Sequence, residues 1–301
     1  MVNMRRLAAV LLTAVTILIS ACTARGNNIS DDDQTNRLSV VVTFDALYEI
    51  AMAVSGGRAD VFNIMPDGME VHDFEPQARD LAVLSSADIL IMNGFGLDTW
   101  ADKAVSAVAS EKLLTVDASE GISPIALAET GGGSDPHIWL SPVSAQVMAE
   151  NIKDALCEAD PDGTEHYRVC CNEFKASLQS LYSDYSGKFG ALSSKTIVTG
   201  HAVFAYLCRD FGLIQNSVEG VFAEGEPSAK AMVELVEFCR ENSIKAILAE
   251  NLSSPLVAET LAAEAGAEVL TIYTMEGSED GLSFLERMEM NLETILVACN
   301  T

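Results

Sequence analysis

Basic residues are scarce in this chain, and their scarcity limits the partners that it can bind. The 301 residues include 18 Lys and Arg against 44 Asp and Glu, which gives a formal charge of −26. Nucleic acids and anionic lipid surfaces attract positive patches. A protein with so many acidic residues is therefore a poor partner for either. Cations are better partners, although an acidic solvated surface accounts for much of such a charge without any ligand.

Closely spaced cysteine pairs are absent as well. The seven cysteines stand at positions 22, 157, 170, 171, 208, 239 and 299, and none of them form a CxxC pair. A metal cluster on cysteine thiolates is therefore not expected. The six cysteines after Cys22 permit disulfides in an exported protein, and burial as small apolar side chains is the alternative.

The beginning of the chain is typical of an export signal. Arg5 and Arg6 precede an apolar stretch over 7–19, and small residues lead from there to Cys22. Residues 1–21 are too short for a permanent membrane span and predict a secretory signal peptide. Small residues directly before a cysteine resemble the lipobox of bacterial lipoproteins, in which that cysteine is acylated. An ordinary signal peptide with a chance cysteine is the alternative.

Residues 22–37 follow as a polar segment with three consecutive aspartates and no apolar periodicity, which predicts a disordered tether. We expect an exported protein that a lipid anchor at Cys22 holds to the extracytoplasmic side of the cell membrane. Because a single acyl chain anchors weakly, two or more chains are expected. The 280 residues after the signal are enough for one large or two medium domains.

Short apolar strands alternate with helices along the rest of the chain. Strands are predicted at 39–44, 59–65, 89–92 and 113–116, and again at 195–199, 246–248 and 269–272. Helices between such strands indicate βαβ units and parallel sheets. The α/β chain therefore divides into a predicted N-terminal lobe (38–163), a long connecting helix (164–191) and a similar C-terminal lobe (192–301).

Three of the four histidines lie near predicted strand ends or in loops. His72 follows the second strand, His137 lies late in the first lobe, and His201 follows the first strand of the second lobe. Ligands of open α/β sheets gather outside the carboxyl ends of the strands, so the three imidazoles converge if both lobes face a shared cleft. The fourth, His166, is expected to be a solvated residue near a helix end.

Three segments carry these histidines in order: GMEVHDFEP at 68–76, DPHIWLSP at 135–142 and TGHAVFAYL at 199–207. Together with EPSA at 226–229 and MNL at 290–292, they resemble the metal-binding lipoproteins that deliver zinc or manganese to ABC importers. The resemblance covers nearly the whole chain after the signal. It implies two lobes joined by a rigid helix, with the metal held in the cleft between them.

The resemblance also implies what the chain does. His72, His137 and His201 would bind a divalent cation, and a membrane permease of the ABC importer would receive it from a monomeric carrier. Three imidazoles with at most one carboxylate favour zinc over manganese, because manganese prefers more oxygen ligands. Metal is expected to close the cleft, and the transporter is expected to pull the lobes apart for release.

The fourth ligand is less well marked than the histidines. Many members of the family place an acidic residue just after the last strand, and without gaps this position falls on Tyr273. Glu276 is the nearest carboxylate in the segment and is the predicted fourth ligand. Glu250, after the strand at 246–248, and a water molecule are the alternatives.

Two other classes of function remain open from the sequence. A zinc hydrolase also uses three protein ligands and leaves one position to water, but the chain contains no HExxH motif. A surface adhesin or metal-storage lipoprotein without a transporter is the other alternative. We expect no enzymatic activity.

Replacing the predicted acylation site tests the lipid anchor. Cys22→Ala removes the thiol that acylation needs, so the variant should leave the membrane fraction while its metal affinity stays unchanged. Detergent partitioning of the expressed protein measures this. A variant that partitions with the membrane as the wild type does would contradict the assignment.

Overall fold

The computed structural model describes residues 37–127, 133–222, 228–252, 255–278 and 281–300. The predicted signal peptide (1–21), Cys22 and the tether as far as residue 36 lie outside the described residues. Leu38–Thr301 form one compact unit. Among the described helices, none combines the length and apolarity that a membrane span requires.

The N-terminal lobe contains four parallel strands in the order β2-β1-β3-β4. These are β1 (Leu38–Val42), β2 (Ala59–Asn63), β3 (Ile89–Met92) and β4 (Leu114–Asp117), with helices α1 (Asp45–Ser55), α2 (Ala78–Ser86) and α3 (Ala101–Val108) between them. Val40, Val41 and Val42 are fully buried, because β1 lies inside the sheet with helices to cover it.

The C-terminal lobe repeats this plan with the strand order β6-β5-β7-β8, again all parallel. Its strands are β5 (Thr196–His201), β6 (Ile214–Glu219), β7 (Ala246–Glu250) and β8 (Glu268–Ile272). Its helices, which follow α4 (Pro142–Ala159) and α5 (Thr164–Gly190), are α6 (Ala205–Phe211), α7 (Ala229–Glu241), α8 (Leu256–Ala265) and α9 (Phe284–Asn300). The predicted fold class of two similar α/β lobes is confirmed.

The sequence pattern predicts no strand at 214–219, where the structure has β6. Among the described strands, β6 pairs only with β5, and it lies at the edge of its sheet. Its sequence IQNSVE contains two strongly apolar residues, and Ile214 is 60% exposed. Edge strands bury little surface, so they lack the apolar run by which the central strands are recognised.

Helix α4 (Pro142–Ala159) ends the first lobe, and helix α5 (Thr164–Gly190) connects the two lobes. Ser141 caps α4, since its hydroxyl oxygen accepts hydrogen bonds from the backbone N–H groups of Val143 and Ser144. The 27 residues of α5 span about 40 Å. This helix packs against α1 and α4 of the first lobe and against α6 and α9 of the second, as a rigid connector should.

The larger of the two apolar core clusters in the described chain runs through both lobes and along α5. Phe174 of α5 contacts Phe284 of α9, with ring centroids 5.8 Å apart, and Phe189 contacts Phe211 of α6 at 5.0 Å. Because this core is continuous, the division at 163/164 and 191/192 into separate domains stays a prediction.

The six cysteines in the described part of the chain are all free thiols. Cys171, Cys208, Cys239 and Cys299 are buried, so the alternative of burial as small apolar residues applies to these four. Burial raises the pKa of Cys171 and Cys299 to about 11, which keeps both thiols protonated and unreactive.

Leu178 tests the contribution of the connecting helix to stability. Its side chain is fully buried on the inner face of α5, so Leu178→Ala should lower the free energy of unfolding by about 2–5 kcal/mol. Val169→Ala on the same helix is the control, because Val169 is 46% exposed and should change stability by about 0.5 kcal/mol or less. Urea denaturation measures both, and equal losses in the two variants would contradict the connector role.

Candidate metal centre

Three histidines from different segments meet in the cleft between the lobes. His72 lies in the short 3-10 turn Val71–Asp73, His137 immediately precedes the turn Ile138–Leu140, and His201 is the last residue of β5. The Nε2 atoms of His72 and His137 are 3.2 Å apart, and one nitrogen of each ring lies within 4.8 Å of the other two. Nitrogens bound to one tetrahedral zinc ion are about 3.3 Å apart, so a modest contraction of the cluster would suit zinc.

Asp135 orients the ring of His137 from outside the cleft. Its Oδ1 lies 2.9 Å from Nδ1 of His137 and accepts the backbone N–H of the same residue at 2.9 Å. Nδ1 therefore carries the ring proton, and the lone pair of Nε2 points toward the other histidines. Both residues are buried, which keeps water from competing for this hydrogen bond.

The backbone of Asp135 and Pro136 is held by two further side chains. The hydroxyl group of Tyr206, from the C-terminal lobe, donates to the backbone oxygen of Asp135 at 2.7 Å. The side-chain amide of Asn93 donates to the backbone oxygen of Pro136 at 2.8 Å. Sequence reasoning misses both residues, although Tyr206 lies inside the third histidine motif.

Glu250 orients His201 in the same manner. One of its carboxylate oxygens accepts the backbone N–H of His201 at 2.9 Å, and the other lies 2.6 Å from Nδ1. Gly200 permits this approach, since a Cβ atom there would lie 3.0 Å from Glu250 Oε1. Nε2 of His201 is buried and has no hydrogen-bond partner among the described residues, which is the environment expected for a nitrogen that awaits a cation.

The environment also sets the protonation of the three rings. Burial, together with the charges of the other two histidines, lowers the pKa of His72 to about 3, and burial lowers the pKa of His137. Burial opposes the charged form of His201 too, but the hydrogen bond and charge of Glu250 outweigh it and raise that pKa. Metal binding requires neutral rings, and the lowered pKa values of His72 and His137 favour that form.

Glu276 lies in the segment that follows β8 and is 5% exposed. Its charge acts on His201 and contributes to the raised pKa of that ring, so the carboxylate lies near the cluster. It is not part of the group of His72, His137 and His201 that lies within 4.8 Å in the described chain. Glu250 is close to His201 as well, but both of its oxygens already contact that residue.

Two further features surround the cluster. The ring of Phe222, from the C-terminal lobe, meets the ring of His72 edge to face with centroids 5.4 Å apart. Glu219 interacts electrostatically with His201 and with Glu70, and its pKa is raised, mainly by burial.

His166 is not brought to the site: it is exposed on α5, where its Nε2 lies 3.0 Å from the backbone oxygen of Ser55.

Comparison with known proteins identifies the family. Residues 40–298 match the family model of ZnuA, the periplasmic component A of the zinc-uptake complex. The chain belongs to this family. The resemblance to metal-binding proteins of zinc importers, which the three histidine motifs carry, is thereby confirmed.

Individual relatives agree with this membership. A Treponema pallidum (strain Nichols) protein whose name states an assumed metal-binding role is 42% identical, over 96% of this chain and 95% of its own length. The high-affinity zinc uptake system protein ZnuA of Bacillus subtilis (strain 168) is 31% identical over 94% of both chains. The laminin-binding protein Lmb of Streptococcus agalactiae, described as having adhesin and metal transporting activity, superposes with a TM-score of 0.81 at 32% identity, over 88% of this chain and all of its own.

Glu250→Gln tests whether the carboxylate acts by orienting His201. The amide cannot accept both hydrogen bonds from His201, so zinc affinity should fall by about 10- to 100-fold, the usual cost of losing a partner of a metal ligand. Glu268→Gln, an exposed residue of the neighbouring strand β8, serves as the control and should bind zinc as the wild type does. Competition titration with a zinc chelator measures both, and an unchanged affinity in Glu250→Gln would contradict the role.

Proposed function

We propose that this protein captures zinc outside the cytoplasm in the cleft between its lobes and delivers it to the permease of an ABC importer. The observation that carries the proposal is the cluster of His72, His137 and His201, with two Nδ1 atoms bound by carboxylates and the Nε2 atoms left for a metal. A donor set dominated by neutral imidazole suits zinc better than manganese. Membership of the zinc-uptake family supports the same metal.

Within this proposal the ligands are the three imidazoles and the carboxylate of Glu276. Glu276 is preferred over Glu250 because it is buried and its charge acts on His201, whereas Glu250 uses both oxygens to hold that residue. A carboxylate would complete a tetrahedral set and leave no position open to water. Such a closed site is suited to capture and transfer of the ion.

The location and partners follow from the same proposal. Acylation at Cys22 would hold the protein on the extracytoplasmic face of the membrane, where the permease also lies. A monomer is sufficient, since one chain supplies all four proposed ligands. The acidic body would attract cations toward the cleft and oppose binding to nucleic acid.

Hydrolysis is a weaker interpretation of the same site. A zinc hydrolase needs an open coordination position and a general base next to the bound water. The two carboxylates in contact with the histidines, Asp135 and Glu250, are both engaged in orienting a ring. The family consists of transport proteins, and we propose that this member has no enzymatic activity.

Replacing the ligands one at a time tests the proposal. His72→Ala, His137→Ala and His201→Ala should each weaken zinc binding by more than about 100-fold, beyond the usual effect of outer partners. His166→Ala should not change the affinity, because this ring lies on α5 away from the cluster. Isothermal titration calorimetry measures all four, and a wild-type affinity in any of the first three would remove that histidine from the site.

Zinc should also stabilise the folded protein, because the cleft binds the ion far better than the unfolded chain does. At free zinc about 1,000 times the dissociation constant, the free energy of unfolding should rise by about 4.1 kcal/mol. Glu276→Ala should reduce this gain without abolishing it, since three imidazoles remain. Thermal denaturation with and without zinc measures the effect.

An assay of ester and peptide hydrolysis tests the alternative of an enzyme. Zinc-dependent hydrolysis that is lost in His137→Ala would favour that alternative over transport.

A further inference from the structure

The segment that carries Glu276 is held by side chains from both lobes. Asn291 of α9 binds both backbone groups of Tyr273, accepting its N–H at 2.8 Å and donating to its oxygen at 2.7 Å. The indole N–H of Trp139, next to the His137 loop, donates to the backbone oxygen of Thr274 at 2.7 Å. The residues that precede Glu276 are thus hydrogen-bonded to Asn291 of the second lobe and to Trp139 of the first.

Arg287 ties down the other side of the same segment. Its guanidinium is 1% exposed and donates from Nη1 to the backbone oxygen of Gly277 at 2.9 Å. From Nη2 it donates to the carboxylate of Asp45 at 2.9 Å, and Asp45 is the first residue of α1 in the other lobe. The backbone N–H of Asp45 in turn lies 3.4 Å from the backbone oxygen of Glu276.

The backbone between these contacts is strained. Met275, directly before Glu276, has φ of +58° and is fully buried. A residue with a side chain is strained in this conformation, which persists only where its surroundings enforce it. Arg287 and Asp45 after the turn, with Trp139 and Asn291 before it, supply that enforcement.

Stability alone is a poor explanation for the pair of Arg287 and Asp45. Burying two charges costs desolvation free energy that their attraction often fails to recover, and apolar replacements of such pairs are frequently neutral or stabilising. The pair does, however, fix direction, because a planar guanidinium binds two acceptors in set positions. Here one acceptor belongs to the Glu276 turn and the other to the opposite lobe.

We propose that Arg287 is a positioning residue that holds Glu276 against the bound zinc and slows release of the ion. Through Asp45 it also links the Glu276 turn to the first lobe. When the lobes separate, the Asp45 contacts break, Met275 can relax to an ordinary backbone conformation, and Glu276 withdraws from the metal. This inference rests on the proposed function, in which Glu276 is a zinc ligand.

The dissociation rate of zinc from the purified full chain tests the inference. Arg287→Met keeps the apolar stem and removes the charge, and zinc release into an excess of chelator should become about 10- to 100-fold faster, as for other residues that act through a metal ligand. The association rate should change far less, because the three imidazoles still receive the ion. Arg240→Met, at a half-exposed arginine of α7, is the matched control and should release zinc as the wild type does.

A double-mutant cycle separates positioning from a general loss of structure. If Arg287 acts through Glu276, adding Arg287→Met to Glu276→Ala should change the release rate by less than about twofold. An undiminished effect in the Glu276→Ala background, or an unchanged rate in Arg287→Met, would overturn the inference. Should Arg287→Met fail to fold, Asp45→Asn breaks the same charge pair, and its effect should likewise vanish in the Glu276→Ala background.

These results are distinct from failure of the proposed function. A wild-type protein that binds no zinc, or binds it equally well as His137→Ala, would contradict the metal site itself. Zinc binding that depends on the histidines but not on Arg287 would leave the site intact and reject only the positioning role.

Discussion

Two buried carboxylates on the outer side of the imidazoles make the rest of the site possible. Asp135 and Glu250 each bind Nδ1 of one ring and the backbone N–H of the same histidine. Each carboxylate therefore sets the tautomer and the direction of its ring together. Without them, the Nδ1–H groups would lose their acceptors, and neither the tautomer nor the direction of the two rings would be fixed before a metal binds.

Hydrogen bonds between the lobes limit how far the lobes can move apart. Tyr206 reaches from the C-terminal lobe to Asp135, and Trp139 reaches from the first lobe to Thr274, both through buried hydrogen bonds. Leaving a buried donor or acceptor unsatisfied costs about 1–3 kcal/mol, so separating the lobes breaks several such bonds at once. These bonds link the two lobes through residues that precede and follow His137.

The sequence predicts the features that short, local segments determine, namely the histidine motifs and the central strands. Each clustered histidine stands in its own motif, His201 at the end of a strand and His72 and His137 in loops, and ligands of open α/β sheets gather outside the carboxyl ends of the strands. Central strands such as β1 show their burial as an apolar run, while β6 has no such run because it lies at an edge.

What the sequence does not reveal depends on long-range geometry. Arg287 and Asp45 are 242 residues apart, and nothing in either neighbourhood indicates that they form an ion pair. The role of Glu250 also needs the β5–β7 pairing, which places the carboxylate beside His201. For the same reason spacing alone leaves the choice between Glu276 and Glu250 open, and the hydrogen bonds of Glu250 favour Glu276.

The central claim is that zinc binds between the lobes on His72, His137, His201 and Glu276. A crystal structure of the zinc-loaded protein, with anomalous diffraction recorded at the zinc absorption edge, tests it most directly. The account predicts one strong peak about 2.0–2.2 Å from the three Nε2 atoms and from a carboxylate oxygen of Glu276. A peak bound by Glu250 in place of Glu276, or one outside the cleft, would contradict it.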